Sequence, residues 1–194
     1  FTGAAINAVT KSGTNTFHGS GYYIFRNQDL AGKTPDGLKE NATKIPTFSN
    51  KTYGVTLGGP IVKNKAFFFI SAELQRDQNP LTFNRSTYVG SVTDATLKRI
   101  ADTVAARSGG FNIGGYQNNM SETKADRIAG KIDWNISEKH KLALSYRYTS
   151  GDRVVPLDNG PTALRFETNG YRFPTVTHSA SAELKSVVGK HGSN

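Results

Sequence analysis

The stretch that decides the fold runs Arg127-Ile128-Ala129-Gly130-Lys131-Ile132-Asp133-Trp134-Asn135-Ile136-Ser137-Glu138-Lys139-His140-Lys141-Leu142-Ala143-Leu144-Ser145-Tyr146-Arg147-Tyr148-Thr149. Before the reversal, Ile128, Gly130, Ile132, Trp134 and Ile136 fall on one face, and Arg127, Ala129, Lys131, Asp133 and Asn135 fall on the other. After Ser137-Glu138-Lys139-His140, Leu142, Leu144, Tyr146 and Tyr148 face one way, and Ala143, Ser145, Arg147 and Thr149 the other. A period of two marks β-strands, and so short a reversal makes them antiparallel neighbours. In a soluble protein the apolar face would meet a core. In a membrane barrel it would meet lipid, and the charged face would line the lumen. Alternation alone does not separate the two.

The spacing of the remaining strands does. Strand-like segments lie at about 16–26, 51–59, 66–76, 125–136, 141–150 and 175–187. The connections alternate: long at 27–50, short at 60–65, very long at 77–124, short at 137–140 and long at 151–174. Short turns on one side and long loops on the other are the sorting expected of an outer-membrane β-barrel, with the short turns periplasmic. The predicted fold class is therefore all-β: part of a transmembrane antiparallel β-barrel of which about six strands are present, with long extracellular loops. Tyr53, Val55 and Leu57 share one face of the second strand; Phe68, Ile70, Ala72 and Leu74 share one face of the third. The first strand carries aromatics on both faces, so its outward face stays open. With odd-numbered strands running outward, Phe17, Phe67–Phe69 and Trp134 fall near the short turns. Tyr22, Tyr23, Phe25, Tyr53, Tyr146 and Tyr148 then fall near the long loops, which is the expectation for two interfacial girdles.

Composition is consistent with this reading. The chain has 194 residues and no cysteine, which excludes thiol chemistry. It has no apolar run long enough for a transmembrane helix, which does not argue against a barrel. Its formal charge of +9 would suit an anionic partner such as lipopolysaccharide, an acidic solute or nucleic acid. The cations are scattered with no block of like charge, so a solvated surface is the favoured reading and nucleic acid is not expected as a partner. The chain opens at Phe1 inside a strand-like segment, without a signal peptide, and closes on the turn-like Lys190-His191-Gly192-Ser193-Asn194. The expectation is a piece of a longer exported protein.

The very long connection holds one helix, Thr93 to Arg107, with Thr93 as N-cap and Gly109 as stop. Its stripe of Leu97, Ile100, Ala101 and Val104 should pack on its own hairpin. No catalytic constellation is present. His18, His140, His178 and His191 lack metal-ligand spacing. Gly109-Gly110 and Gly114-Gly115 do not join a strand to a helix, so no phosphate cradle is expected. Asp158-Asn159-Gly160 reads as a turn with too few oxygens for calcium. Glu73 and Asp133 are isolated carboxylates. The chain is expected not to be an enzyme and to need no cofactor or metal. The residues with most functional interest are the lumen-facing Arg127, Lys131, Asp133 and Arg147, and the loop 77–124. Hydration of a barrel interior accounts for those charges without a binding role, so no binding residue is assigned.

The segment Gly3-Ala4-Ala5-Ile6-Asn7-Ala8-Val9-Thr10-Lys11-Ser12-Gly13-Thr14-Asn15 resembles the end of the plug domain of TonB-dependent outer-membrane transporters, where it runs into the first barrel strand. Phe17-His18-Gly19-Ser20, Phe25-Arg26-Asn27, Tyr53-Gly54-Val55-Thr56-Leu57-Gly58-Gly59-Pro60-Ile61, Lys63-Asn64-Lys65 and Phe67-Phe68-Phe69 resemble the Oar-like branch, which carries a carboxypeptidase-regulatory-like domain and is frequent in Bacteroidetes. The resemblance is specific over residues 3–75. It implies residues 1–15 as the end of a plug, and 16–194 as the first part of a barrel of probably 22 strands. It also implies a Gram-negative outer membrane, lipid contact, and the barrel's remaining strands as partners. Coupling to TonB would run through an N-terminal part, and the imported ligand stays unknown. The alternatives are an Oar-like surface protein whose loops mediate adhesion, and a soluble carbohydrate-binding β-sandwich with one apolar core.

Overall fold

A computed structural model of the chain describes residues 10–33, 44–81, 83, 85–117, 119–188 and 192–193. The plug-like stretch before Thr10 and His191 lie outside the described residues. Six long strands run in chain order: β1 (His18–Asn27), β2 (Ser49–Val62), β3 (Ala66–Pro80), β4 (Met120–Asn135), β5 (His140–Val155) and β6 (Tyr171–Val188). A two-residue β7 (Gly192–Ser193) pairs with the end of β6, within the segment the sequence reads as a terminal turn. Each strand pairs antiparallel with its neighbours in one sheet, in the order β1 to β7. The sequence places the strands correctly but ends most of them early on the long-loop side. β4 starts at Met120 rather than 125, and β5 runs to Val155 rather than 150. A strand crosses a bilayer with about 9–11 residues. The surplus continues the ladder into water, where neither face needs to be apolar and the alternation disappears.

The short turns are tightly built. Asn64 between β2 and β3 has a φ of 64°, a left-handed conformation that Asn tolerates. Between β4 and β5, the Ser137 hydroxyl accepts from the Lys139 and His140 amides at 3.2 and 3.1 Å. A bulge between Pro60 and Val62 bends β2 just before its turn.

The register settles which residues share a face. Leu57, Ile70, Gly130, Tyr146 and Ala180 lie side by side across five strands, and Val55, Ala72, Ile128, Tyr148 and His178 form the next row. Among the described residues nothing covers these rows: Ile70 is 47% exposed and Ile128 43%. Among the described residues no large side chain is fully buried, and the few buried apolar ones are Ala66, Leu97, Ile113 and Ala125. The alternative of a β-sandwich therefore finds no support in the described strands. A sandwich needs a second sheet over these rows, and all the described strands belong to one sheet. No described helix is long and apolar enough to cross a membrane, which says nothing about crossing by strands.

On the long-loop side, α1 (Asp94–Arg107) forms where the sequence places it, and the Thr93 hydroxyl accepts from the Thr96 amide at 3.2 Å. Two glycines with positive φ, Gly109 and Gly110, turn the chain away from its end.

Six strands cannot close, since single-chain bacterial barrels begin at eight. Open edges in hydrocarbon leave backbone groups unpaired at a cost of several kcal/mol each. The 194-residue chain produced alone should therefore need detergent and should aggregate on its removal. Size-exclusion chromatography checks this, and a monodisperse, cooperatively folded monomer in plain buffer contradicts it.

Candidate functional site: the inner wall and the outer loops

The polar face gathers the charges the sequence singles out. Tyr22, Gly54, Glu73, Arg127 and Thr149 form one row across β1 to β5. Gly54 has no side chain, and the Tyr22 ring lies in the space it leaves; a Cβ there would overlap the ring. Tyr22 thereby crosses β2 and donates its hydroxyl hydrogen bond to Glu73 on β3. Arg127 reaches the other Glu73 oxygen at 2.8 Å and Gln75 Oε1 at 3.2 Å. One polar rung thus ties β1, β3 and β4 together across β2. It also answers the question the sequence leaves open: Tyr22 belongs to the polar face, while Tyr23 faces outward with Tyr53, ring centroids 4.9 Å apart. Phe68 likewise faces outward, whereas Phe67 and Phe69 alternate onto the polar side.

Nearer the short turns, Lys131 lies 3.0 Å from Asp133 and donates to the Ser12 hydroxyl at 2.8 Å. Ser12 precedes β1, so the incoming chain runs along the polar face. Gly13 sits against the backbone of Gly59 and Phe68 too closely for any Cβ. Asn15 clasps the β2–β3 turn, accepting from the Asn64 amide at 2.7 Å and donating to the Asn64 side chain at 2.6 Å. Thr10 and Lys11 complete a cleft with Arg147, Ser145, Ser179 and Ser181. Arg147 makes no ion pair among the described residues.

The carboxylates Glu73 and Asp133 do not meet. Glu73 is opposite Arg127, six residues along β4 from Asp133, or about 20 Å at strand rise. The histidines are dispersed as well. His18 bonds Thr16 at 2.6 Å, His140 bonds Ser186 at 2.9 Å, and His178 shares a 2.7 Å hydrogen bond with Tyr146 on the outward face. Among the described residues no cluster could hold a metal ion.

Two of the three long loops, β3–β4 and β5–β6, are joined, which the sequence does not reveal. The Val89 amide donates to Pro161 O at 2.8 Å, and the Glu167 amide to Gly115 O at 2.7 Å. Thr168 donates its side chain to Ile113 O at 3.0 Å, and the Asn159 side chain bonds Tyr116 O and Arg165. Each contact has a backbone group on at least one side and so leaves no mark in side-chain patterning. Within the β3–β4 loop, Asp94 takes Arg85 Nε at 2.9 Å and the Tyr116 hydroxyl at 2.9 Å. These bonds, with Arg85 the larger, hold the Asp94 carboxyl below its ordinary value of 3.8; desolvation first and Asp94 second raise Tyr116. A depressed acid stabilises above its unfolded pKa and loses that contribution as pH falls through the folded one. The attachment of α1 should therefore persist at neutral pH and loosen only below the ordinary carboxylate range. Asp94→Asn should loosen it at pH 7, read as faster amide exchange over 94–107.

The sequence of these strands finds counterparts among known proteins. A family model described as an outer membrane beta barrel domain matches residues 9–102. This sheet is part of an outer-membrane β-barrel. The chain is also 30% identical over 158 residues to the TonB-dependent transporter Oar of Myxococcus xanthus, covering 76% of this chain and 14% of that protein. No solved structure matches. Together the two similarities agree with an outer-membrane barrel. In such a barrel the rows of Ile70 and Ile128 would face lipid, and the Tyr22–Glu73–Arg127 rung the lumen.

Proposed function

We propose that the protein containing this chain is a TonB-dependent receptor and transporter in the outer membrane of a Gram-negative bacterium. It would take up a large solute, of identity unknown, by energy-coupled movement of a plug. The observation that carries this reading is the course of residues 10–15 along the lumenal wall, held by Ser12–Lys131 and Asn15–Asn64. A plug joined to the first strand would enter the barrel there. Similarity to the transporter Oar supports the same reading. On this account residues 1–15 end the plug and 16–194 begin a barrel of probably 22 strands. Further strands would cover the edges of β1 and β6, and TonB would engage a more N-terminal part. Arg127, Lys131, Asp133 and Arg147 would line the solute's path or face the plug. We assign the chain no enzymatic activity, no cofactor and no nucleic-acid partner.

The joined outer loops favour a second reading, an Oar-like surface protein that attaches through them. Deleting the TonB-engaging segment of the parent separates the two. Loss of import with attachment intact supports transport. Unchanged import contradicts it.

A further inference from the structure

We propose that the outward face of the sheet, at its outer rim, binds the phosphate groups of outer-leaflet lipid through Lys51 and Lys124. Lys51, Arg76 and Lys124 stand directly opposite one another on β2, β3 and β4. Like charges opposed across a ladder repel, and here they are opposed twice in succession. Arg76 is satisfied within the sheet, 2.6 Å from Asp126 and donating to Gln75 O at 2.7 Å and Ala125 O at 3.2 Å. The lysines on either side are not. Lys124 has only a 3.6 Å contact to Glu122, whose other oxygen takes Gln78 at 3.1 Å. Lys51 has no acidic partner among the described residues, and its ammonium lies 6.0 Å from the Phe25 ring centroid. The remaining acid of this rim, Asp152, stands opposite Lys124 but gives its carboxylate to Arg172. Two lysines therefore flank a neutralised arginine, about two strand spacings, or roughly 10 Å, apart. A phosphorylated headgroup can reach both.

The height of this strip selects lipid as the occupant. On β4, Trp134 and Lys124 share the outward face and lie ten residues apart. That is about 33 Å along the strand, or about 25 Å of height at a barrel tilt near 40°. An outer-membrane barrel's apolar band is about 25 Å tall. With Trp134 at the periplasmic boundary, Lys124 stands where hydrocarbon gives way to the outer headgroups. Tyr23, Tyr53 and Leu74 lie two residues below the strip, on the same face. The inference rests on the outer-membrane placement above and not on transport.

The test uses the full-length protein in phosphatidylcholine nanodiscs, with bound glycolipid counted by native mass spectrometry. Lipid A carrying its phosphates is compared with the same lipid A after their removal. The phosphorylated form should bind more tightly to the unmodified protein. Lys51→Gln and Lys124→Gln should each weaken it about fivefold, the worth of one lysine at an anionic surface. Lys98→Gln, on the outer helix α1, should leave binding unchanged, and excess inorganic phosphate should not displace the lipid. Equal binding of the two lipid forms to the unmodified protein overturns the proposal without reliance on any variant. Displacement by inorganic phosphate, or an equal loss in Lys98→Gln, also overturns it. The readout does not involve uptake, so failure of the transport reading leaves it unmoved.

Discussion

Ile70→Lys should cost the barrel about 2–4 kcal/mol, while Ser71→Lys, one residue along, should cost less than about 1 kcal/mol. Ile70 sits in the row Leu57–Ile70–Gly130–Tyr146, near the middle of the apolar band. A lysine there loses hydration with no partner in reach. Ser71 lies in the neighbouring row with Thr56 and Ala129 and points into the wet interior, with Glu73 two residues along the same face. Reversible urea unfolding of the parent protein in lipid vesicles measures both. A soluble body would give a different outcome. Ile70 is 47% exposed, so in water the lysine would be nearly neutral.

The second large effect belongs to Gly54. Any Cβ at this position overlaps the Tyr22 ring, so Gly54→Leu must expel the ring and break its bond to Glu73. Overfilling a packed site costs about 1–3 kcal/mol. The loss of a hydrogen bond to a charged group adds about 1.5–3 kcal/mol. Tyr22→Ala should remove most of the extra penalty that Gly54→Leu brings, because the leucine would then occupy vacated space. The double-mutant cycle should give a coupling of at least about 1 kcal/mol. Additive effects would show that ring and glycine do not interlock.

The same pair shows why part of the site was hidden in the sequence. From Arg127 to Thr149 the alternation is clean, because one face answers to lipid and the other to water, and the structure follows it residue by residue. In β1 the rule breaks: an aromatic, Tyr22, lies on the lumenal side because a glycine on the next strand makes room for it. A glycine opposite an aromatic across a predicted hairpin was the available signal. The outer ends of β3 and β4 were illegible for another reason. Beyond the apolar band, Asp77–Pro80 and Met120–Thr123 pair fully but answer to water on both faces. The lumenal charges were legible as a row, but not their pairing. Arg127 finds its acid, Glu73, on the next strand, and Lys131 bonds Ser12, 119 residues earlier in the chain, besides Asp133 on its own strand. The joined loops were out of reach because backbone carbonyls such as Pro161 O and Gly115 O hold them.

The claim beneath the whole account is that every second residue of these strands touches hydrocarbon while its neighbours look into water. Spin labels placed one at a time on introduced cysteines along 127–134 of the parent protein in bilayers test it most directly. Even positions should show high oxygen and low aqueous nickel accessibility, and odd positions the reverse, alternating without a break. Even positions shielded from both reagents, as in a packed core, would contradict it.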